Sequence, residues 1–204
     1  LAALGEVKAA IKSVGNYQQI AADYRSVITS SLVDYFEGGS ITPSRNAFKA
    51  AMATAFVDMF ETAWLDGGAE MPFSEEANDW LVARQELEFG YIQTLFEQAK
   101  ALRKEGGFDF FSWITARADG YINTLREVYN NALLRTKKDM MVTFEGDDGA
   151  ESCPDCQRLK GKRHKISWFL ARDFVPPFGQ GLECHPGGRC QHGLMDDKGN
   201  WVTV

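Results

Sequence analysis

Three glycine pairs, Gly38-Gly39, Gly67-Gly68 and Gly106-Gly107, divide the first two thirds of the chain into four stretches whose apolar residues recur at three-and-four spacing. Glycine enters the left-handed backbone region without steric cost, so a pair that follows such a run reads as helix stop and turn. The first stretch runs from about Ala2 to Phe36, with a break expected at Gly15-Asn16. In the second, Thr42 is the expected N-cap and Pro43 suits the first turn. Phe48, Met52, Ala55, Phe56, Met59, Phe60 and Ala63 then form its buried stripe. Ser74-Glu75-Glu76 opens the third, a cap followed by acids that complement the helix dipole, and Ala77, Trp80, Leu81, Leu87, Tyr91, Ile92, Leu95, Ala99 and Leu102 continue it. The fourth, from about Asp109 to Lys138, sets Phe111, Ile114, Ala118, Tyr121, Ile122, Leu125, Val128, Tyr129 and Ala132 on one face. It ends in Arg135, Lys137 and Lys138, as the dipole prefers. The pattern predicts a mainly α fold: an elongated antiparallel helical bundle over residues 1–138, joined by short loops.

Two further readings concern the helices. Phe56, Met59, Phe60 and Trp64 span more than one stripe, which predicts burial against partner chains as well as within the bundle. Glu86 with Glu88, and Glu61 with Asp58, read as solvent-facing charges. A di-iron bundle is excluded, because all three histidines lie beyond position 160 and no Glu-x-x-His occurs.

After Asp139 the pattern changes, and a second module is expected over 139–204. Short strands are predicted around 140–144, 164–168 and 201–204, with Glu145-Gly146-Asp147-Asp148-Gly149 as a turn and the remainder rich in glycine and proline. All four cysteines fall here, as Cys153-Pro-Asp-Cys156 and as Cys184-His185-Pro186-Gly187-Gly188-Arg189-Cys190-Gln-His192. A tetrahedral zinc ion takes four thiolate or imidazole ligands, and a two-residue spacer aims both sulfurs at one point about 2.3 Å away. Cys153, Cys156, Cys184 and Cys190 are the first-choice shell, with His185 or His192 as alternates. Structural zinc would replace a core that so few residues cannot build, in a small zinc-stabilised α/β or β-hairpin module.

Two other uses of the thiols compete. Disulfides need an oxidising compartment, yet the chain opens Leu1-Ala-Ala-Leu-Gly-Glu-Val-Lys8 with no basic stretch leading into an apolar one. The absent initiator Met leaves room for an upstream segment, which weakens that argument. A thioredoxin-like dithiol would place the strand Met140–Phe144 before Cys153-Pro-Asp-Cys156 and use Pro177, but too little chain follows to complete a parallel βαβ unit. No apolar run is long enough to span a membrane.

With a formal net charge of −6, the molecule as a whole does not attract nucleic acid, so any such role needs a local patch. Arg158, Lys160, Lys162, Arg163 and Lys165 supply one and are candidate phosphate contacts. The competing account is a solvated hairpin face balanced by Asp147, Asp148, Glu151 and Asp155, with no aromatic stacking platform beside it. His164 suggests the general base of a zinc-supported nuclease, but no His-Asn-His-like series follows and basic residues flank it. Trp168, Phe169, Phe174 and Phe178 are expected to pack the module onto the bundle.

Taken in order, Cys153-Pro-Asp-Cys156, Leu159-Lys-Gly161, Val175-Pro176-Pro177, His185-Pro186 and Arg189-Cys190 resemble the C-terminal motif of the phage head morphogenesis proteins, the Mu F-like minor capsid family. The resemblance covers about residues 151–192. The family's terminal Cys-Arg-Cys stands here as Gly188-Arg189-Cys190, with a cysteine upstream at Cys184, so Cys184, His185 and His192 stay open as the ligand that completes the shell. The resemblance implies a non-enzymatic structural protein of the virion, assembled in the bacterial host cytoplasm. Such a protein would be present in several copies near the portal and would contact portal, capsid or connector proteins, and packaged DNA in some roles. The rival expectations are a zinc-containing DNA-binding protein and a zinc-supported nuclease.

Overall fold

The computed structural model describes residues 2–146, 153–175 and 192–203, with the side chains of 2–15 excepted. Four long helices come first: α1 (Ala2–Phe36), α2 (Ile41–Asp66), α3 (Glu75–Glu105) and α4 (Phe110–Arg135). The glycine pairs close α2 and α3, with Gly68 and Gly106 at positive φ. Ser74 and Asp109 cap α3 and α4, their side chains accepting from the backbone N–H of Ala77 and Ser112. Two local expectations are corrected. α1 runs without a break through Gly15-Asn16. α2 begins after Ser40, so Thr42 lies inside its first turn. Pro43 is tolerated there because the first N–H groups of a helix have no intrahelical acceptor.

Contacts between the helices fix their directions. Ser44 on α2 donates to Asp34 on α1, and Tyr24 packs edge-on to Phe48, so residue numbers rise on one helix as they fall on the other. The same antiparallel sense joins α2 to α3 (Arg45 to Gln93, Gln85 to Ala53) and α1 to α4 (Tyr17 on Tyr129, Phe36 on Phe110). α2 and α4 run parallel, through Phe48 against Tyr121 and the Tyr129 hydroxyl donating to Asp66 at 2.8 Å. α2 thus touches all three other helices.

That position corrects the docking expectation for α2: Phe56, Met59, Phe60 and Trp64 are all buried inside the chain. A helix packed on three sides needs apolar residues on more than one stripe without any partner chain. On α3 and α4 the expected stripes are partly displaced. Leu87, Tyr91 and Phe111 are exposed, while Phe96 is fully buried.

Beyond α4 the chain forms β1 (Met141–Glu145), α5 (Pro154–Leu159), β2 (Arg163–Lys165), α6 (Ile166–Leu170) and β3 (Gly193–Met195). The sheet is antiparallel in the order β2-β1-β3, with Val142 opposite His164 and Phe144 opposite Leu194. The strand expected at 164–168 stops at Lys165, where the chain turns into α6. The one expected at 201–204 is reduced to a single bridge, Trp201 to Met195. Val142 and Phe144, alternate residues of β1, point to one face. With Leu134, Cys156, Leu159, Ile166, Phe169, Val175, Leu194 and Val202 they make a second apolar cluster, separate from that of the bundle. This segment therefore has a small core of its own, which the sequence reading denied it. The bundle's cluster reaches Leu133 and the second begins at Leu134, so the last turn of α4 serves both.

Candidate metal centre

Cys153 is the N-cap of α5 and Pro154 its first residue. Proline fits that position, and its fixed φ holds the turn that carries the two cysteines. The backbone N–H of Cys156 donates to Cys153 Sγ at 3.4 Å, and the N–H of Gln157 to the Cys153 carbonyl at 3.1 Å. Cys153 and Cys156 are not joined to each other in a disulfide; Cys153 is half-buried and Cys156 buried against Leu159 and its neighbours. A sulfur that accepts a backbone N–H in a short turn is the arrangement that a Cys-x-x-Cys half-site requires, so the pair fits zinc. When bound, the ion would supply a structural cross-link here.

Leu159 and Gly161 have separate tasks in the same turn. Leu159 is buried in the second cluster. Gly161 takes φ +73°, donates to the Phe144 carbonyl at 2.8 Å and so reverses the chain from α5 into β2. A side chain at that φ would be strained.

The second half of the expected shell is divided. Cys184, His185 and Cys190 lie outside the described residues, as do Pro177 and Phe178. His192 is described and buried; its ring lies across the backbone of Gly146, where an added Cβ would collide with it, and tilts over Phe144 at 5.7 Å. Among the described residues no group of three or more His, Cys, Asp or Glu gathers to hold a metal. We expect elemental analysis of reduced, chelator-free protein to return one zinc per chain, because four cysteines and two histidines can close one tetrahedral shell and not two. Less than about half an equivalent, against the four-ligand requirement, would remove the metal reading.

The basic segment is largely neutralised within the chain. Arg158 pairs with Asp155 at 2.8 Å, Arg163 forms a two-bonded pair with Asp197 at 3.1 and 2.7 Å, and Lys165 reaches Asp139 at 3.3 Å. Of the expected counter-charges Asp155 takes part; Asp147, Asp148 and Glu151 lie outside the described residues. Lys160 is half-buried and Lys162 exposed. An aromatic group stands beside this segment, but not as an open platform. The His164 ring stacks on Trp168 at 3.9 Å and 13°, and the Arg172 guanidinium lies 4.3 Å from the same ring centre. Two planar groups so close must occupy opposite faces of the indole, so no face is open to a base. His164 makes ring contacts to Trp168 and Phe169, with β2 pairing its backbone to Val142. These are the packing contacts of a half-buried ring.

The sequence reading missed a buried charge cluster. Arg84 donates through Nε and Nη2 to both oxygens of Glu127, at 3.3 and 2.9 Å, and through Nη1 to Glu88 at 2.6 Å. Arg84 is 7% exposed, Glu88 3% and Glu127 0%, which corrects the placing of Glu88 in solvent. Glu86 and Asp58 are exposed as expected, and Glu61 is half-buried. Burial pushes the Glu127 carboxyl up to about 7, against the pull of Arg84, and raises Glu88 in the same way. For Arg84 burial acts to release the proton, but the two carboxylates outweigh it and hold the group charged. Tyr24, whose hydroxyl has no hydrogen-bond partner among the described residues, and Tyr121 are both held protonated by burial and by the nearby Glu88 charge.

Among the described residues no helix is long and apolar enough to cross a membrane. No protein-family profile, no curated protein and no solved structure matches this chain.

Proposed function

We propose that the protein is a structural minor head protein of a tailed bacteriophage. It would stand near the portal in several copies per particle and act in capsid assembly, or in packaging and ejection of DNA, through contacts with portal, capsid or connector proteins. The observation that carries the reading is the shared purpose of the motif residues. Cys153, Cys156, Leu159 and Gly161, from the first part of the Mu F-like resemblance, build one segment: two cysteines in the first turn of α5, a leucine anchoring it to the second cluster, and a glycine sending the chain into the sheet. A zinc ion held by Cys153 and Cys156, with ligands from Cys184 and Cys190 or from His185 or His192, would fix this knob as a rigid docking surface beside the helices.

The pairing of Arg158, Arg163 and Lys165 with carboxylates favours a protein interface over a nucleic-acid one. Quantitative mass spectrometry of purified particles should find the chain at a few copies, and labelled electron microscopy should place it at the portal vertex. A protein absent from particles that cleaves DNA in a His164-dependent, divalent-ion-dependent way would be a nuclease instead.

A further inference from the structure

The C-terminal module holds its arginines in two ways. Arg158 and Arg163, like the nearby Lys165, each reach a carboxylate of this chain. Arg172 is exposed and makes no ion pair among the described residues; an indole holds it instead. Its guanidinium lies 4.3 Å from the Trp168 ring centre, and Nη1 donates to the Trp168 carbonyl at 3.3 Å. His164 stacks on the opposite face of that ring at 3.9 Å, so the support for the guanidinium is itself clamped. Phe174 packs beside Trp168, 5.8 Å away and tilted by 57°, and the Arg158 guanidinium lies 5.8 Å from the Phe174 ring centre. Lys162, two residues before His164, is also exposed and without an ion pair among the described residues. Trp168 and Phe174 thus make a half-buried apolar floor bordered by positive charge, on a chain whose formal net charge is −6.

A guanidinium already stacked on an aromatic ring loses little freedom when it forms a pair, and its planar fork matches a carboxylate through two parallel hydrogen bonds. Trp and Arg are also the side chains on which protein interfaces concentrate their binding energy. We propose that the α6 face, with Arg172, Trp168 and Phe174 at its centre, docks an acidic segment of a partner protein. A Glu or Asp of that segment takes the fork of Arg172, an apolar neighbour covers Phe174 and the edge of Trp168, and Lys162 adds to the attraction. Two observations set protein carboxylates above nucleic-acid phosphates. Both faces of the indole are taken, so no base can stack on it. The cations at 158, 163 and 165 already carry carboxylates, which leaves little free positive charge to follow a phosphate backbone. The proposal rests on the reading of the module as a protein-docking element and names the chemistry of its partner. Peptide binding is read on the isolated chain and location on purified particles, so the two can fail separately.

The test is fluorescence anisotropy of the full chain, zinc-replete, with a labelled peptide of Glu-Glu-Leu repeats. Binding should saturate and weaken as salt is added, and a Gln-Gln-Leu counterpart should not bind. Arg172→Gln should weaken binding roughly tenfold, the effect of losing one charge-assisted pair. Arg172→Lys should fall nearly as far, because an ammonium keeps the charge without the planar fork. Arg117→Gln removes an equal charge from an exposed arginine, one that lies over Trp113 on α4, and should leave binding unchanged. Arg172 is exposed, so its variants should fold, which circular dichroism checks. No binding of the acidic peptide, no loss in Arg172→Gln, or an equal loss in the Arg117 variant overturns the proposal. So does tighter binding of an oligothymidylate than of the peptide, which would give the face to nucleic acid. An Arg172-dependent dimer in sedimentation would likewise overturn it and give the face to a second copy of this chain.

Discussion

Arg84→Met should destabilise the folded chain by about 3–5 kcal/mol, the usual cost of removing one partner from a buried ion pair. The substitution keeps much of the side chain's length and apolar stem but strands two carboxylates that are at most 3% exposed. Urea denaturation followed by circular dichroism reads the loss directly. Replacing all three members, Arg84→Met with Glu88→Leu and Glu127→Leu, should recover most of it, since the penalty comes from uncompensated charge and not from lost volume. A single variant less than about 1 kcal/mol below wild type, the range of an exposed pair, would mean that water reaches the cluster.

The same cluster sets a pH dependence of known sign. In the unfolded chain Glu127 titrates at its ordinary value of 4.5, while in the folded chain it holds its proton up to about 7. Between those values the folded chain binds the proton more tightly, so this contribution to stability is fully present below about 4.5 and is lost as pH rises to about 7. Its size is at most on the order of 3 kcal/mol, at about 1.36 kcal/mol for each pH unit. Glu127→Gln should abolish that slope.

The helices were legible because their signals were local. Three glycine pairs, the Ser74 and Asp109 caps and three-and-four apolar spacing all act within a few residues, and the observed ends agree to within about a turn, the usual scatter of helix boundaries. The buried cluster was illegible for the opposite reason. On α3 the stripe Leu81, Arg84, Glu88, Ile92, Leu95, Ala99 keeps strict helical spacing, and its signal was the pair of charges at two core positions. Preferring apolar Leu87 and Tyr91 moved the stripe to a face that the structure leaves in solvent. Nothing local marks Arg84 as buried; its partner Glu127 lies 43 residues away on α4. The short strands were half legible. β1 alternates as a one-sided strand should, whereas β2 passes into α6 after Lys165, where Ile166 and Phe169 turn onto the second cluster. Of the expected metal shell, Cys153 and Cys156 share the first turn of α5, while Cys184, His185 and Cys190 lie outside the described residues.

Cys153→Ser separates the two roles of that residue, and for this reason it is the sharpest test of the C-terminal module. Serine is among the best N-cap residues, so its hydroxyl can accept from the Cys156 N–H as the sulfur does, and α5 should keep its cap. What the variant loses is the thiolate that the zinc proposal assigns to this position. The segment's own cluster is small and its strands are three to five residues long, so a metal cross-link would add much to its stability. Structural zinc contributes about 10–16 kcal/mol in comparable small modules. The expected result is that residues beyond 139 become protease-sensitive while most helical signal remains, because the bundle owns a separate core. Fraying should reach back only into the last turn of α4, where Leu134 loses the second cluster and Thr136 its close packing on Gly67. Chelator added to the wild-type protein should reproduce this digestion pattern band for band. If the variant collapses and the chelated wild type does not, packing alone holds the module, and the zinc assignment falls with the docking surface built on it.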